Sequence, residues 1–240
     1  MHHPINNILF LDIETVSCVG SYDQLTEAYQ QLWKKKAASL GKPEEQPIQD
    51  FFLERAAIYA EFGKIIVIGC GYITFEEPSA IPTLRITALS GDYEKTLLTQ
   101  FKTLLEKIVN QDKWRLCAHN GKEFDFPYLC RRMLVNGISL PPILDLTNKK
   151  PWEVPHLDTM EMWKFGDRKS FTSLDLLANL FHIPSSKSVM TGSQVTHYYY
   201  TKKDLPAIAQ YCMQDVVVAA QIFLKLNNCP TIPETNIIFA

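Results

Sequence analysis

An excess of charge of either sign is missing. The 24 lysines and arginines stand against 26 aspartates and glutamates, for a net charge of −2. That excludes a broad basic face, so a phosphate-bearing partner has to be held by a local basic patch, by metal ions or by both. Cysteine pairs are missing too. The six cysteines, at 18, 70, 117, 130, 212 and 229, form no C-x-x-C motif and several sit in apolar runs. They read as buried free thiols of a reducing, cytoplasmic compartment rather than as disulfides or a zinc site. No apolar stretch reads as long enough to span a bilayer, so no membrane partner is expected. The start, Met1 to Asn7, lacks a basic region followed by an apolar one, and no secretory signal is expected. Repeats and low-complexity tails are absent as well. The 240 residues, 46% apolar, suffice for one sizeable core, and 1–240 is expected to be a single domain with room for an insertion.

Against that background two carboxylates stand out. Asp12 and Glu14 close the apolar run Ile8-Leu9-Phe10-Leu11-Asp12-Ile13-Glu14-Thr15. Side chains alternate across a strand, so both acids project from one face. Two adjacent buried acids need a positive partner, and a divalent, oxygen-loving cation is the simplest one. The bland alternative, a strand end with solvated acids, fits poorly with apolar neighbours on both sides.

Two further motifs supply acids in order. His119-Asn-Gly-Lys-Glu-Phe-Asp125 follows a short apolar run, and Tyr211-Cys-Met-Gln-Asp215 lies in a helical stretch that puts Tyr211 and Asp215 on one face. The series D-x-E, N-G-x-x-F-D, Y-x-x-x-D resembles the DEDD superfamily of 3′–5′ exonucleases. It resembles the tyrosine subclass, since position 210, where the histidine subclass carries His, is Gln. Within that subclass the chain is similar to a stand-alone form of the proofreading exonuclease domain of family-B DNA polymerases, from about Ile8 to Leu226, with no room for a polymerase. The resemblance implies an α/β, ribonuclease H-like fold. It implies hydrolysis from the 3′ end of single-stranded DNA, releasing nucleoside monophosphates. It also implies two divalent ions, Mg2+ or Mn2+, bound by Asp12, Glu14, Asp125 and Asp215. In that scheme Asp12 bridges both ions, Glu14 and Asp215 complete one site, Asp125 holds the second ion, and the Tyr211 hydroxyl orients the attacking water. The same chemistry on RNA is the first alternative. The second is a catalytically inactive nucleic-acid-binding or docking module.

Several side chains carry two readings each. Asp125 before Phe126-Pro127 also suits a helix N-cap. Asn120 either positions a phosphate or orders its loop. Phe124 supports a terminal base or packs in the core. Lys187, in the polar loop Ile183 to Val195, contacts backbone phosphates or is solvated. Tyr198-Tyr199-Tyr200 stack bases or anchor a loop, and Lys34 to Lys36 read as a solvated helix face. Asp158 reads as structural, and Asp175 as an ordinary acid in a helix's first turn.

Periodicity predicts a mixed sheet of about five strands with helices on both faces. The strands are Asn7 to Thr15, Lys64 to Thr74, Leu84 to Leu89, Trp114 to His119 and His156 to Trp163. Helices are expected over Asp92 to Asn110, Phe126 to Val135, Ser173 to Phe181 and Thr201 to Leu226, the last opened by a Thr201/Asp204 capping box. Residues 17–63 break the pattern and read as an inserted helical pair, Tyr22 to Leu40 and Ile48 to Ala60.

Overall fold

The computed structural model describes residues 5–75, 77, 81–109, 114–167, 171–184 and 190–240. Its strands are β1 (Ile8–Ser17), β2 (Gly63–Thr74), β3 (Thr83–Ser90), β4 (Arg115–Ala118), β5 (Leu157–Asp158) and β6 (Ile237–Phe239). They form one mixed sheet in the order β5-β4-β1-β2-β3-β6. The pairs β1–β2 and β2–β3 are antiparallel, while β4, β5 and β6 join in parallel. The sheet thus has one strand more than expected. β6 is only three residues long, too short for periodicity to reveal.

The helices are α1 (Glu27–Ser39), α2 (Ile48–Arg55), α3 (Glu94–Val109), α4 (Asp125–Val135), α5 (Thr159–Lys164), α6 (Leu174–Leu180), α7 (Val195–His197) and α8 (Leu205–Leu226). Alternation along β1 divides the core. Leu9, Leu11 and Ile13 pack on one face with Leu97, Leu98, Phe101 and Leu105 of α3 and with Phe126, Leu129 and Met133 of α4. Ile8 and Phe10 meet Val216, Ala220, Phe223 and Leu224 of α8 on the other. α8 is long and apolar enough to cross a membrane by length and composition, but 72% of that window is buried inside the protein. It is the core helix of one sheet face, covered outside by Leu177 and Ala178 of α6.

Two expected elements change identity. The strand expected over His156 to Trp163 stops at Asp158, whose carboxylate accepts the Met160 and Glu161 N–H groups and so caps α5. A satisfied cap outweighs the β preference of the residues after it. α8 begins later than expected. Thr201 lies in a π-turn, Tyr198–Lys202, and Asp204 alone caps the helix by accepting from Ala207 N at 3.1 Å. Pro206 sits in the first turn, where its missing N–H costs nothing.

Residues 18–62 replace a hairpin turn, because β1 and β2 stay paired up to Ser17 opposite Gly63. The insertion carries its own aromatic cluster. Trp33 contacts Phe52 and Phe62 edge-on, with ring centroids 5.3 and 5.0 Å apart. Lys34 and Lys35 face solvent, whereas Lys36 lies over the Tyr59 ring at 4.2 Å.

His156 locks β4 to the following loop. Its Nδ1 accepts from Leu116 N at 3.2 Å and its Nε2 donates to Ile143 O at 2.8 Å, which fixes a neutral tautomer. Burial lowers its pKa from 6.5 to about 4. A base with a depressed folded pKa contributes stability that is complete above its unfolded pKa and is lost as pH falls toward the folded one. The His156 contribution therefore fades between pH 6.5 and about 4, costing up to about 3 kcal/mol at the acid end. An NMR titration of this ring should show it neutral until about pH 4. A midpoint close to that of free histidine would contradict the assignment.

Candidate active site

The site forms where the sheet splits. Parallel pairing between β1 and β4 ends at Phe10 opposite Cys117, after which the β4 chain leaves through His119 and Asn120. β1 continues alone on that side, so its next backbone donors lack strand partners. Asp125 fills the gap: its Oδ1 accepts the Ile13 N–H at 3.2 Å. Crevices beyond the carboxyl ends of diverging parallel strands are the common place for ligands in α/β sheets. The β1–β2 register also shifts between Glu14 and Thr15. Such bulges re-aim side chains and favour active sites.

Asp125 is not the N-cap of α4. Phe124 holds that position without a side-chain cap bond, and Asp125 is the first residue of the helix. Its carboxylate turns toward β1 because the open strand edge offers a buried donor.

α8 closes the site from the other sheet face. Asp12 lies opposite Gly69 on β2. A Cβ on Gly69 would stand 2.9 Å from both Cys212 Sγ and Val216 Cγ2. The missing side chain therefore lets α8 settle onto the strand beside Asp12. Cys212 Sγ donates to Asp12 at 3.3 Å from its backbone O and 3.4 Å from Oδ2. One turn spaces Tyr211 and Asp215, and the Asp215 carboxylate bears directly on the Tyr211 phenol. Both are buried.

The four carboxylates press on one another. Burial raises Asp12 well above the ordinary carboxylate range, and the charges of Asp215, Glu14 and Asp125 add to it. Glu14 is raised by burial and then by Asp215 and Asp125. Asp125 is pushed up to about 7 by burial, with smaller contributions from Asp158 and Asp215, against the opposing hydrogen bond from Ile13. Burial and the same acids raise the Tyr211 phenol, so it stays protonated. Among the described residues no salt bridge reaches Asp12, Glu14 or Asp125. Asp12, Glu14 and Asp125, crowded together without such a bridge, fit an oxygen-bound divalent cation.

Asp158 orders the loop between β4 and α4. Besides capping α5, it accepts from Asn120 N and Lys122 N, each at 3.0 Å. Asn120 adopts a left-handed backbone with φ 63°, and its Oδ1 is buried with no hydrogen-bond partner. Gly121 is required, since a Cβ there would lie 2.5 Å from that of Ala118. His119 bridges Thr159 Oγ1 and Thr172 O, both at 2.9 Å. Phe124 packs partly on the core against Tyr128, ring centroids 5.3 Å apart, while Phe126 is fully buried. A cavity of about 800 Å3 opens beside Asn120 and runs past Lys122, Arg131, Lys149 and Phe171. It adjoins the acidic site without containing Asp12 or Glu14.

The structure therefore brings Asp12, Glu14, Asp125, Asp215 and Tyr211 together. Asn120 and Phe124 lie on the adjoining loop, and Lys187 falls outside the described residues. The tyrosine triplet anchors loops: Tyr200 donates to Ser17 O at 2.6 Å, and Tyr199 donates to Asp92 Oδ1 at 2.8 Å. Sequence reasoning missed Cys212. It read the cysteines as buried free thiols, which Cys212 is, but gave it no place beside Asp12, although it directly follows Tyr211 in a motif already singled out.

Comparison with known proteins follows this geometry. The family described as a predicted 3′–5′ exonuclease related to the exonuclease domain of PolB matches residues 58–231. That span includes Asp125, Tyr211 and Asp215; Asp12 and Glu14 precede it, on the far side of the insertion. DNA polymerase 1 of Pyrococcus abyssi is 25% identical over 175 residues, which is 68% of this chain and 22% of the polymerase. The chain thus spans less than a quarter of that relative's length. Three-prime repair exonuclease 1 of Bos taurus is 23% identical over 141 residues, covering 57% of this chain and 43% of that protein. The family B DNA polymerase of the hyperthermophilic archaeon Pyrobaculum calidifontis aligns with a TM-score of 0.53 at 14% identity, covering 91% of this chain and 24% of that one. The likeness is one of fold: the six-stranded sheet with its flanking helices is ribonuclease H-like.

Proposed function

We propose, on the premise that the chain belongs to the family of predicted 3′–5′ exonucleases related to the PolB exonuclease domain, that it removes nucleoside monophosphates from the 3′ end of single-stranded DNA. The observation that carries the reading is the mutual pressure of Asp12, Glu14, Asp125 and Asp215 at one strand end. We infer that these four would hold two divalent ions, Mg2+ or Mn2+. Such a pair, when bound, lowers the pKa of water and neutralises charge developing on the phosphate. The chain's own residues do the rest. Tyr211 keeps its proton and serves as an orienting donor, not as a base. Asn120 stands at the rim, beside the cavity into which the upstream strand would run.

The test compares single-stranded DNA, duplex DNA and RNA, labelled at either end, with Mg2+ and with Mn2+. A bulky block on the 3′ hydroxyl should stop digestion, and a 5′ block should not. Internal fragments from a circular single strand would overturn the exonuclease assignment. Preferential digestion of RNA would overturn the choice of substrate.

Tyr211→Phe keeps the ring and removes the hydroxyl. kcat should fall by about 10²-fold, the scale of a lost positioning group. The thermal shift produced by Mn2+ should hardly change. An unaltered kcat would reduce Tyr211 to a packing residue.

A further inference from the structure

Cys212 has no part in the nuclease reading, yet its sulfur lies inside the acidic cluster. It is fully buried, 3.4 Å from Asp12 Oδ2. One ligand atom each from Asp12, Glu14 and Cys212 all lie within 4.8 Å of one another. Glu14 is 7% exposed, and among the described residues its carboxylate accepts no hydrogen bond. Its carboxylate thus shares a small space with a thiol and a second carboxylate. The sulfur cannot easily retreat, because α8 is seated over Gly69 with no slack between them. Magnesium and manganese favour oxygen donors in octahedral arrangements. One sulfur and two carboxylates instead suit a tetrahedral, thiophilic ion.

We propose that Asp12, Glu14 and Cys212 form an alternative metal site that takes a thiophilic divalent cation, Zn2+ or Cd2+, in place of the oxygen-bound ions. A metal–sulfur bond forms, the Cys212 S–H bond breaks, and the proton passes to solvent. No atom changes oxidation state. Because Asp12 and Glu14 are shared, the two occupations exclude each other, and a thiophilic ion arrests any chemistry the oxygen-bound ions support. The site does not depend on the nuclease reading, since the three donors bind a cation whatever reaction the protein performs.

The test uses the metal-stripped full chain titrated with Cd2+, without substrate, following the ultraviolet thiolate-to-cadmium charge-transfer band. Wild type should give a band that saturates at one equivalent, together with proton release. Cys212→Ser should lose the band and bind Cd2+ more weakly, by at least the roughly 10–100-fold that loss of outer-shell partners alone costs. It should keep its Mn2+ thermal shift. The other five cysteines remain in the variant and serve as internal controls. No band in wild type, or a full band in Cys212→Ser, overturns the proposal. Should Cys212→Ser fail to fold, Glu14→Gln keeps the thiol and must still weaken Cd2+ binding; unchanged binding also overturns it. An inactive protein that shows the band removes the nuclease reading and leaves this site. An active protein without it does the reverse.

Discussion

Asp215→Asn should make the metal-free protein more stable and the metal-loaded protein nearly inactive. After burial, the Asp215 charge is the largest influence raising both Asp12 and Glu14. The amide keeps the shape and removes the charge. A carboxylate with a raised folded pKa favours folding while protonated, and that contribution is lost as pH rises through the folded pKa. The wild type without metal should therefore lose stability as pH rises toward neutrality, where Asp125, pushed up to about 7, also ionises. At pH 7 in chelator the variant should melt higher by ~2–4 °C if the relief is about 1 kcal/mol. The gain should shrink as pH falls and the raised carboxyls of Asp12, Glu14 and Asp125 take up protons. In Mn2+ the order reverses. A ligand that binds only the native state at 100 times its Kd adds about 2.7 kcal/mol. The variant should lose most of that shift and most of its activity. Paired melting curves in chelator and in Mn2+ decide the matter: a full Mn2+ shift in Asp215→Asn would remove Asp215 from the ligand set.

Gly69→Ala should damage activity from a position that carries no chemistry. The new methyl group would meet Cys212 Sγ and Val216 Cγ2 at 2.9 Å and the Cys212 carbonyl at 3.2 Å. One obstacle is backbone, so α8 itself has to move. Overpacking of this kind costs about 1–3 kcal/mol. Asp215 and Tyr211 ride on the displaced helix while Asp12 and Glu14 stay on β1. A misplacement of about 1 Å between parts of a site costs on the order of 10²-fold in rate. kcat should fall by that scale at a temperature where the variant is fully folded. Adding Val216→Ala removes one of the opposing side-chain atoms and should restore part of both stability and rate. Full activity in Gly69→Ala would show that the seating of α8 is not what aligns the two halves of the site.

Much of this arrangement was legible locally. The β1 acids announced themselves because alternation on a strand is a property of neighbouring residues, and two buried acids on one face have few explanations. The α8 pair was legible for the same reason: four residues make one turn, whatever else the helix touches. The strong elements β2, β3, α3 and α4 were expected nearly at their observed limits, since their apolar spacing is set within each segment. Where local signals competed, the reading slipped. Asp158 does end a strand, but its four backbone donors were not visible in the sequence, and two of them come from a loop far away in the chain. β6 is invisible without β3, its partner across a long stretch of sequence.

What the sequence by itself determined is the list of reactive groups: four carboxylates and a tyrosine on rigid elements, in a fixed order. What only the tertiary structure decided is their meeting. β4 stops short of the end of β1, so an open edge draws in Asp125. Gly69 has no side chain, so α8 comes close enough to set Cys212 against Asp12. Both depend on contacts between segments distant in the chain, and periodicity within a segment carries no information about those.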